Sequence, residues 1–286
     1  MASNVFYSFM ALCLTFIPLV NQAQINPDSI LVFDRAGKQV SFNTVLEATQ
    51  GKKYVFFGEL HGVELSHAAE LLLLKHLHDS VDDRLILGME MFEMDVQHIV
   101  DEYLTGLINQ RSFETESRIW TNYAKDYKPL VEYARENGLP VVASNVPRRY
   151  ANSVYHQGVS VLSNMSRSAK KYFPKLPLKV NYDLPSYRAM ATMLPDHSAE
   201  NFIASQALKD ATMAMNIDRY MTRNKVMLHV HGAYHSTNWE GIIPYLRKVR
   251  EGELLLITTV MQPENGDLDS SVFENADYTL VSPAQK

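Results

Sequence analysis

Five short apolar runs set the frame of the chain: "KYVFFGE", "LILGMEMF", "LPVVASNVP", "KVMLHVHGAYH" and "LLLITTV". Each is nearly continuous rather than alternating, the pattern of strands covered on both faces. Helical spacing fills the intervals. "ELSHAAELLLLKHLHDS" carries leucines at helical repeats, and Asp95 to Gly138 holds two or three helical stretches. The last of these, "YKPLVEYARENG", stops at a glycine just before the strand at Leu139. "SAENFIASQALKDATMAMNIDRYMTRN" reads as one long amphipathic helix. Strands alternating with helices predict an α/β fold with a mostly parallel central sheet flanked by helices. Ser29 to Phe42 alternates around Ala36-Gly37 and predicts an N-terminal β-hairpin. The irregular, proline- and tyrosine-bearing stretch that begins at Tyr150 predicts a helical cap inserted between the third and fourth core strands, within about residues 150–222. The polar tail after Met261 is expected to be loosely held.

The first 23 residues stand apart. "VFYSFMALCLTFIPLV" is apolar, interrupted by Thr15 and Pro18, short for a membrane span, and followed by a small residue at Ala23. It reads as a signal peptide cleaved near Ala23, leaving residues 24–286 as a single domain exported to the periplasm or cell envelope. The one cysteine, Cys13, lies inside this segment. Lipidation there would associate the protein with a membrane, but Met10-Ala11-Leu12 is a poor approach to a lipidated cysteine. Cleavage at Ala23 would leave no thiol, which excludes disulfides, Fe–S ligation, Cys₄ zinc and a cysteine nucleophile together. The net charge of −5 gives no reason to expect a nucleic-acid partner.

Chemistry collects where the core runs end. The first ends in Glu59 and His61, the second in Glu90, the third in Asn145 followed by Arg148 and Arg149, the fourth in His229, His231 and His235. Sites in open α/β sheets form beyond the carboxyl ends of parallel strands. Gly58-Glu59-Leu60-His61 and Gly232-Ala233-Tyr234-His235 are both G-x-x-H, each just after an apolar strand. His61, His235, Glu59 and Glu90 make a ligand set for Zn²⁺, Mn²⁺ or iron, and a carboxylate left over would serve as general base. Asn145 or Arg148 would stabilise a developing oxyanion. Without a metal, Glu59 would act as base and His235 as acid. The competing reading makes His61 a cap of the following helix and Glu59 the partner of Arg148 in a structural ion pair.

Softer candidates surround these. His229 and His231 share a strand face and are either ligands or buried core histidines. Gln206 and Asp210, one helical turn apart, either reach the site or solvate their helix. His67, His76, His78 and His98 sit among charges on helical stretches and read as surface residues. The methionine pairs Met190/Met193 and Met213/Met215 either face a flat cofactor or fill a core. There is no G-x-S-x-G, G-x-G-x-x-G or G-x-x-x-x-G-K-[ST].

Taken together, "FFGELHG", "GMEMF", "SNVPRR", "SQALKDATMA" and "HVHGAYH" resemble the ChaN-like family of haem-binding proteins, in one superfamily with Tiki and erythromycin-esterase-like proteins. The resemblance runs from about Tyr54 to Val260. It implies an α/β core with helical additions and a cell-envelope protein linked to iron or haem uptake. It also implies a homodimer enclosing haem, with a tyrosine as iron ligand. Tyr150, Tyr155, Tyr172, Tyr182 and Tyr187 of the cap are the tyrosines considered for that role. The Tiki relatives imply instead a metal-dependent protease using paired G-x-x-H motifs and a glutamate, elements that map onto His61, His235 and Glu59 or Glu90. Two expectations follow: a haem-binding protein, or a metal-dependent hydrolase acting on a small-molecule or peptide ligand.

Overall fold

A computed structural model describes residues 26–192, 198–264 and 266–284. The signal-peptide segment, Cys13 and Met193 lie outside the described residues. In chain order the elements begin with strands β1 (Leu31–Asp34) and β2 (Gln39–Val40), helix α1 (Phe42–Ala48), β3 (Tyr54–Glu59), α2 (Glu64–Val81) and β4 (Leu85–Glu93). Next come α3 (Gln97–Leu104), α4 (Gln110–Glu116), α5 (Tyr123–Asp126), α6 (Lys128–Glu136) and β5 (Val141–Asn145). The chain finishes with α7 (Arg148–Gln157), α8 (Pro185–Thr192), α9 (Ala199–Tyr220), β6 (Val226–Gly232), β7 (Leu254–Met261) and β8 (Tyr278–Ser282).

The strands form one eight-stranded sheet in the order β2-β1-β8-β7-β3-β6-β4-β5. The pairs from β8 through β5 are parallel, and β1 runs antiparallel to both β2 and β8. This is the mostly parallel α/β sheet that the apolar runs predict. Every residue of β3, β4, β5 and β6 is buried because helices cover both faces. On one face Val55, Phe57, Leu87 and Val230 pack with Leu73, Leu74 and Leu77 of α2 and Leu130 and Val131 of α6. On the other, Tyr54, Phe56, Ile86 and Met227 meet Met213, Ala214 and Ile217 of α9.

Helix α9 serves two layers. Its first half joins the cap, where Ala204 and Leu208 pack with Val154 of α7, Leu162 and Phe173, and Phe202 and Ala207 pack with Tyr187 of α8. Its second half covers the sheet. The apolar stripe is therefore wide, and Met213 is core filler rather than a cofactor wall. The N-terminal hairpin is present but short. Gly37 turns it at φ +75°, and Phe42 opens α1 behind the Ser41 cap instead of extending the strand.

The tail departs from expectation. Ser270–Asn275 forms a 3-10 turn, and β8 inserts between β1 and β7 with Leu280 and Val281 buried. A five-residue strand flanked by polar residues has too short an apolar run to stand out. Its partner β1 lies at the other end of the sequence, and an irregular connection separates it from β7, so only tertiary pairing reveals it.

Candidate functional site

Strand order decides what meets. β6 lies between β3 and β4, with Glu59 opposite Gly232 and Gly58 opposite His231. The two G-x-x-H turns therefore sit side by side. A Cβ on Gly58 would stand 2.9 Å from the backbone Cα of Ala233, and one on Gly232 would stand 3.0 Å from His61 Nε2. Each glycine makes room for the other motif; a side chain at Gly58 would press on backbone, and one at Gly232 on the His61 ring.

Both histidines are held by a carboxylate that is itself held by a tyrosine. His61 Nδ1 lies 2.5 Å from Glu59 Oε1, which also accepts from the Tyr127 hydroxyl at 2.6 Å. His235 Nδ1 lies 2.5 Å from Asp210 Oδ1, and the Tyr187 hydroxyl donates to Asp210 Oδ2 at 2.6 Å. The carboxylates fix Nδ1 as the donor on each ring and direct Nε2 outward. His235 Nε2 faces Glu90 Oε1 at 3.2 Å, while Glu90 Oε2 accepts from the Gly232 N–H at 2.8 Å.

The charge states follow. Burial pushes Glu59 upward, but the His61 hydrogen bond, the adjacent Glu70 carboxyl and the neighbouring imidazoles outweigh it and hold the carboxyl below its usual range. Burial disfavours the His61 cation, yet the Glu59 hydrogen bond and the field of Glu90 raise its pKa. The same contest, burial against Glu90 and Asp210, pushes His235 up to about 10. Glu90 is depressed because the charge and hydrogen bond of His235 overcome its burial. Glu90 and His235 are thus a buried ion pair at neutral pH.

A cavity of about 980 Å³ opens above these groups. His61, Glu90, Asn145, Arg148 and His235 all line it, as does Gln206, with Trp120, Tyr155, Met190, Phe202 and Tyr234 among its walls. Glu59 lies behind His61 and is 1% exposed. It acts on the cavity through the imidazole alone. Arg148 bonds Glu93 through Nε, and Arg118 and Arg149 join Glu93 and Asp95 in a network at the rim.

Several softer readings are corrected or decided. The Glu59–Arg148 ion pair of the competing reading is absent among the described residues, because Glu93 pairs with Arg148 and His61 and Tyr127 occupy Glu59 Oε1. His61 is not a cap either: helix α2 starts after Val63 without a side-chain cap. His67 is buried rather than on the surface, 3.2 Å from Glu70 Oε2. His67, Glu70, Leu74 and Leu77 follow one 3-4-3 stripe along α2, a signal present in the sequence and outweighed there by the charged neighbours. His229 and His231 are core residues. His229 bonds Ser144 Oγ at 2.9 Å and is held well below its usual pKa by burial and by His231. Burial and the His235 charge push His231 down to about 3. Asp210 reaches the site from α9, as does Gln206. Tyr127, Trp120, Glu93 and Arg118 escaped the sequence reading; Tyr127, Trp120 and Arg118 lie on connections between helices, and Glu93 ends β4 three residues beyond Glu90, where the sequence reading placed the strand's end.

Among the haem-ligand tyrosines considered, Tyr187 is fully buried on Asp210. Tyr150 stacks under Arg149 and is nearly buried. Tyr155 lines the cavity. Tyr234, inside the second G-x-x-H motif, also lines it and is 41% exposed.

Comparison with known proteins adds the following. The family model described as haem-binding uptake, Tiki superfamily, ChaN matches residues 45–246. A solved structure, "Cofacial heme binding to ChaN of Campylobacter jejuni", superposes with a TM-score of 0.66 at 15% identity, over 88% of this chain and 96% of that one. A mutant of the erythromycin esterase EreC matches at a TM-score of 0.46 and 15% identity, over 87% of this chain and 82% of that one. Protein RETICULATA-RELATED 5, chloroplastic, of Arabidopsis thaliana is 26% identical over 136 residues, 46% of this chain. That match spans only 18% of the plant protein's length.

Proposed function

The chain belongs to the haem-binding uptake family of the Tiki superfamily that includes ChaN, and from that premise we propose that it binds haem in the strand-end cavity with Tyr234 as the iron ligand. The observation that carries this is the placement of Tyr234, an exposed phenol on the wall of a cavity of about 980 Å³. Tyrosine is an established haem ligand. His61 lines the same cavity with its side chain 46% exposed, and its variant serves as the control for that assignment.

The walls suit a flat, amphiphilic ligand. Trp120, Tyr155, Met190 and Phe202 supply apolar surface. Arg148 and Arg149 stand at the rim for the propionates, with side chains 61% and 49% exposed. Each spends two of its five N–H donors on the structure's own partners. Bound haem would supply an iron for which a tyrosine oxygen is one recognised protein ligand. The apolar leader expected over residues 1–23 supports placing this activity in the periplasm or cell envelope, in iron or haem uptake.

A second reading rests on the two Tyr–carboxylate–His arrangements facing Glu90. They suit acid–base hydrolysis, with His61 as base and the protonated His235 as acid. Glu59 would orient His61 rather than touch substrate.

One experiment addresses both. Haem titration of wild type, Tyr234→Phe and His61→Ala is followed by Soret absorbance, with cleavage of ester and peptide substrates assayed in parallel. Tyr234→Phe is expected to weaken haem by about tenfold or more, 1.4 kcal/mol, and to change the visible ferric spectrum, while His61→Ala binds as wild type does. Unchanged binding in Tyr234→Phe would sink the ligand assignment. Hydrolysis present in wild type and lost only in His61→Ala would transfer the conclusion to the second reading.

A further inference from the structure

Behind His61, on the side away from the cavity, three buried side chains from two elements converge. Glu59 comes from the end of β3, and His67 and Glu70 from successive turns of α2. One ligand atom from each lies within 4.8 Å of the others. Glu59 is 1%, Glu70 0% and His67 8% exposed. Glu59 Oε2 and Glu70 Oε1 have no hydrogen-bond partner. Among the described residues, the ion pairs of these two carboxylates are all with histidines.

We propose that Glu59, His67 and Glu70 bind one divalent transition metal of the Zn²⁺, Mn²⁺ or Fe²⁺ class, at a site separate from the cavity.

Charge points this way first. Two adjacent carboxylates sealed from water repel each other, and desolvation is costly unless a cation compensates. Among the described residues no lysine or arginine pairs with either carboxylate, and His61 pairs with Glu59 alone. The distances point the same way. A metal with four ligands at about 2.0–2.1 Å holds those ligand atoms roughly 3.3 Å apart. His67 Nδ1 lies 3.4 Å from Glu59 Oε2 and 3.2 Å from Glu70 Oε2. Both are longer than the usual N–H···O distance of about 2.9–3.0 Å. The far side of the imidazole completes the pattern: His67 Nε2 faces Asp126 Oδ2 at 3.4 Å. A carboxylate behind a metal-bound histidine fixes its tautomer and raises its basicity.

Glu59 divides its two oxygens between two tasks. Oε1 receives Tyr127 and His61, and Oε2 is left to the metal. The ion would thus anchor the carboxylate that aims His61 into the cavity, and so tie the end of β3 to α2. One nitrogen and two oxygen ligands suit borderline metals rather than Ca²⁺ or Mg²⁺.

The rival occupant is a proton shared between Glu59 and Glu70. Burial and the Glu59 charge raise the Glu70 carboxyl well above its ordinary value, so a metal-free protein would hold a proton there. Glu70→Gln separates the two, because an amide N–H imitates the shared proton but is a poor metal ligand.

The test uses the full chain, purified haem-free as judged by the absence of a Soret band. It is incubated with Zn²⁺, Mn²⁺ or Fe²⁺, desalted and analysed for metal. About one equivalent is expected in wild type, His61→Ala and His235→Ala, with a higher Tm than the chelator-treated protein. Glu70→Gln is expected to fold and to retain less than about a tenth of that metal. Absence of all three metals from wild type would overturn the proposal, as would equal loading of Glu70→Gln. Loss in His61→Ala and His235→Ala alone would place the ion in the cavity and overturn it as well. If Glu70→Gln does not fold, anomalous scattering from metal-soaked wild-type crystals decides. A peak between Glu59, His67 and Glu70 supports the site, and a peak elsewhere or none refutes it.

Discussion

His235 is charged, buried and pinned between two carboxylates, and its surroundings set how the protein responds to pH. Its pKa rises from 6.5 to about 10 on folding because Glu90 and Asp210 outweigh burial. A raised pKa means that the folded state holds the proton more tightly. The stabilisation is complete below about 6.5 and is lost as pH climbs through about 10. Glu90 works in the opposite sense: its depressed pKa stabilises above the ordinary 4.5 and is lost as pH falls below it. Both contributions are complete between about 4.5 and 6.5. His235→Gln leaves Glu90 and Asp210 buried beside an amide, and should cost about 3–5 kcal/mol in that window. Urea unfolding of wild type and variant from pH 5 to pH 10 reads this directly. The difference should shrink as pH rises, and a constant difference would show that His235 carries no proton in the fold.

Strands and turns bring the two G-x-x-H segments into contact, and the glycines matter at that scale rather than by their own flexibility. Gly58 meets backbone, the Cα of Ala233, whereas Gly232 meets a side chain, His61 Nε2. The backbone of the 3-10 turn Ala233–His235 retreats less readily than a side chain, whereas a methyl against an imidazole can turn the ring. Gly58→Ala should therefore destabilise the fold by about 1–3 kcal/mol. Gly232→Ala should cost less and instead displace His61 from Glu59, which NMR of the His61 ring would report as a changed titration. Equal destabilisation with an unmoved His61 resonance would refute this division. The same scale explains which site residues could be read in advance. His61, Glu90, Asn145 and His235 follow apolar strands whose ends must lie at one edge if the sheet is parallel. Tyr127 comes from the turn between α5 and α6, and nothing in "YAKDYKPL" marks it; Asp210 comes from α9, and its helical spacing with Gln206 left open whether it reaches the site or solvates its helix.

Across the whole molecule the last strand closes the sheet. β8 bridges the parallel part to the antiparallel pair β1–β2. Its removal exposes the edge of β7 and uncovers Val32, which Leu280 faces in the register. An open, apolar sheet edge invites association between chains. A chain ending at Met261 should melt several degrees lower than the full chain, by about 4 °C or more, and should aggregate on dilution from denaturant. Light scattering and calorimetry check it; an unchanged Tm would show that the tail is dispensable.

The sequence by itself determined the fold class, because runs buried on both faces and helices with one apolar stripe have only a few ways to cover each other. It also marked His61, Glu90, Asn145, Arg148 and His235 as strand-end residues, since polar groups ending an apolar run need a reason to be there. Only the tertiary structure decided what they do together. Placing β6 between β3 and β4 set the two motifs face to face, assigned Asp210 to His235, and moved Glu59 out of the cavity to a position behind His61. It turned His67 inward, where its spacing with Leu74 and Leu77 had competed with its charged neighbours. It also drew Tyr278–Ser282 into the sheet. Periodicity along the chain records which face of an element is buried. It does not record which elements become neighbours, and the chemistry of this site depends on those neighbours.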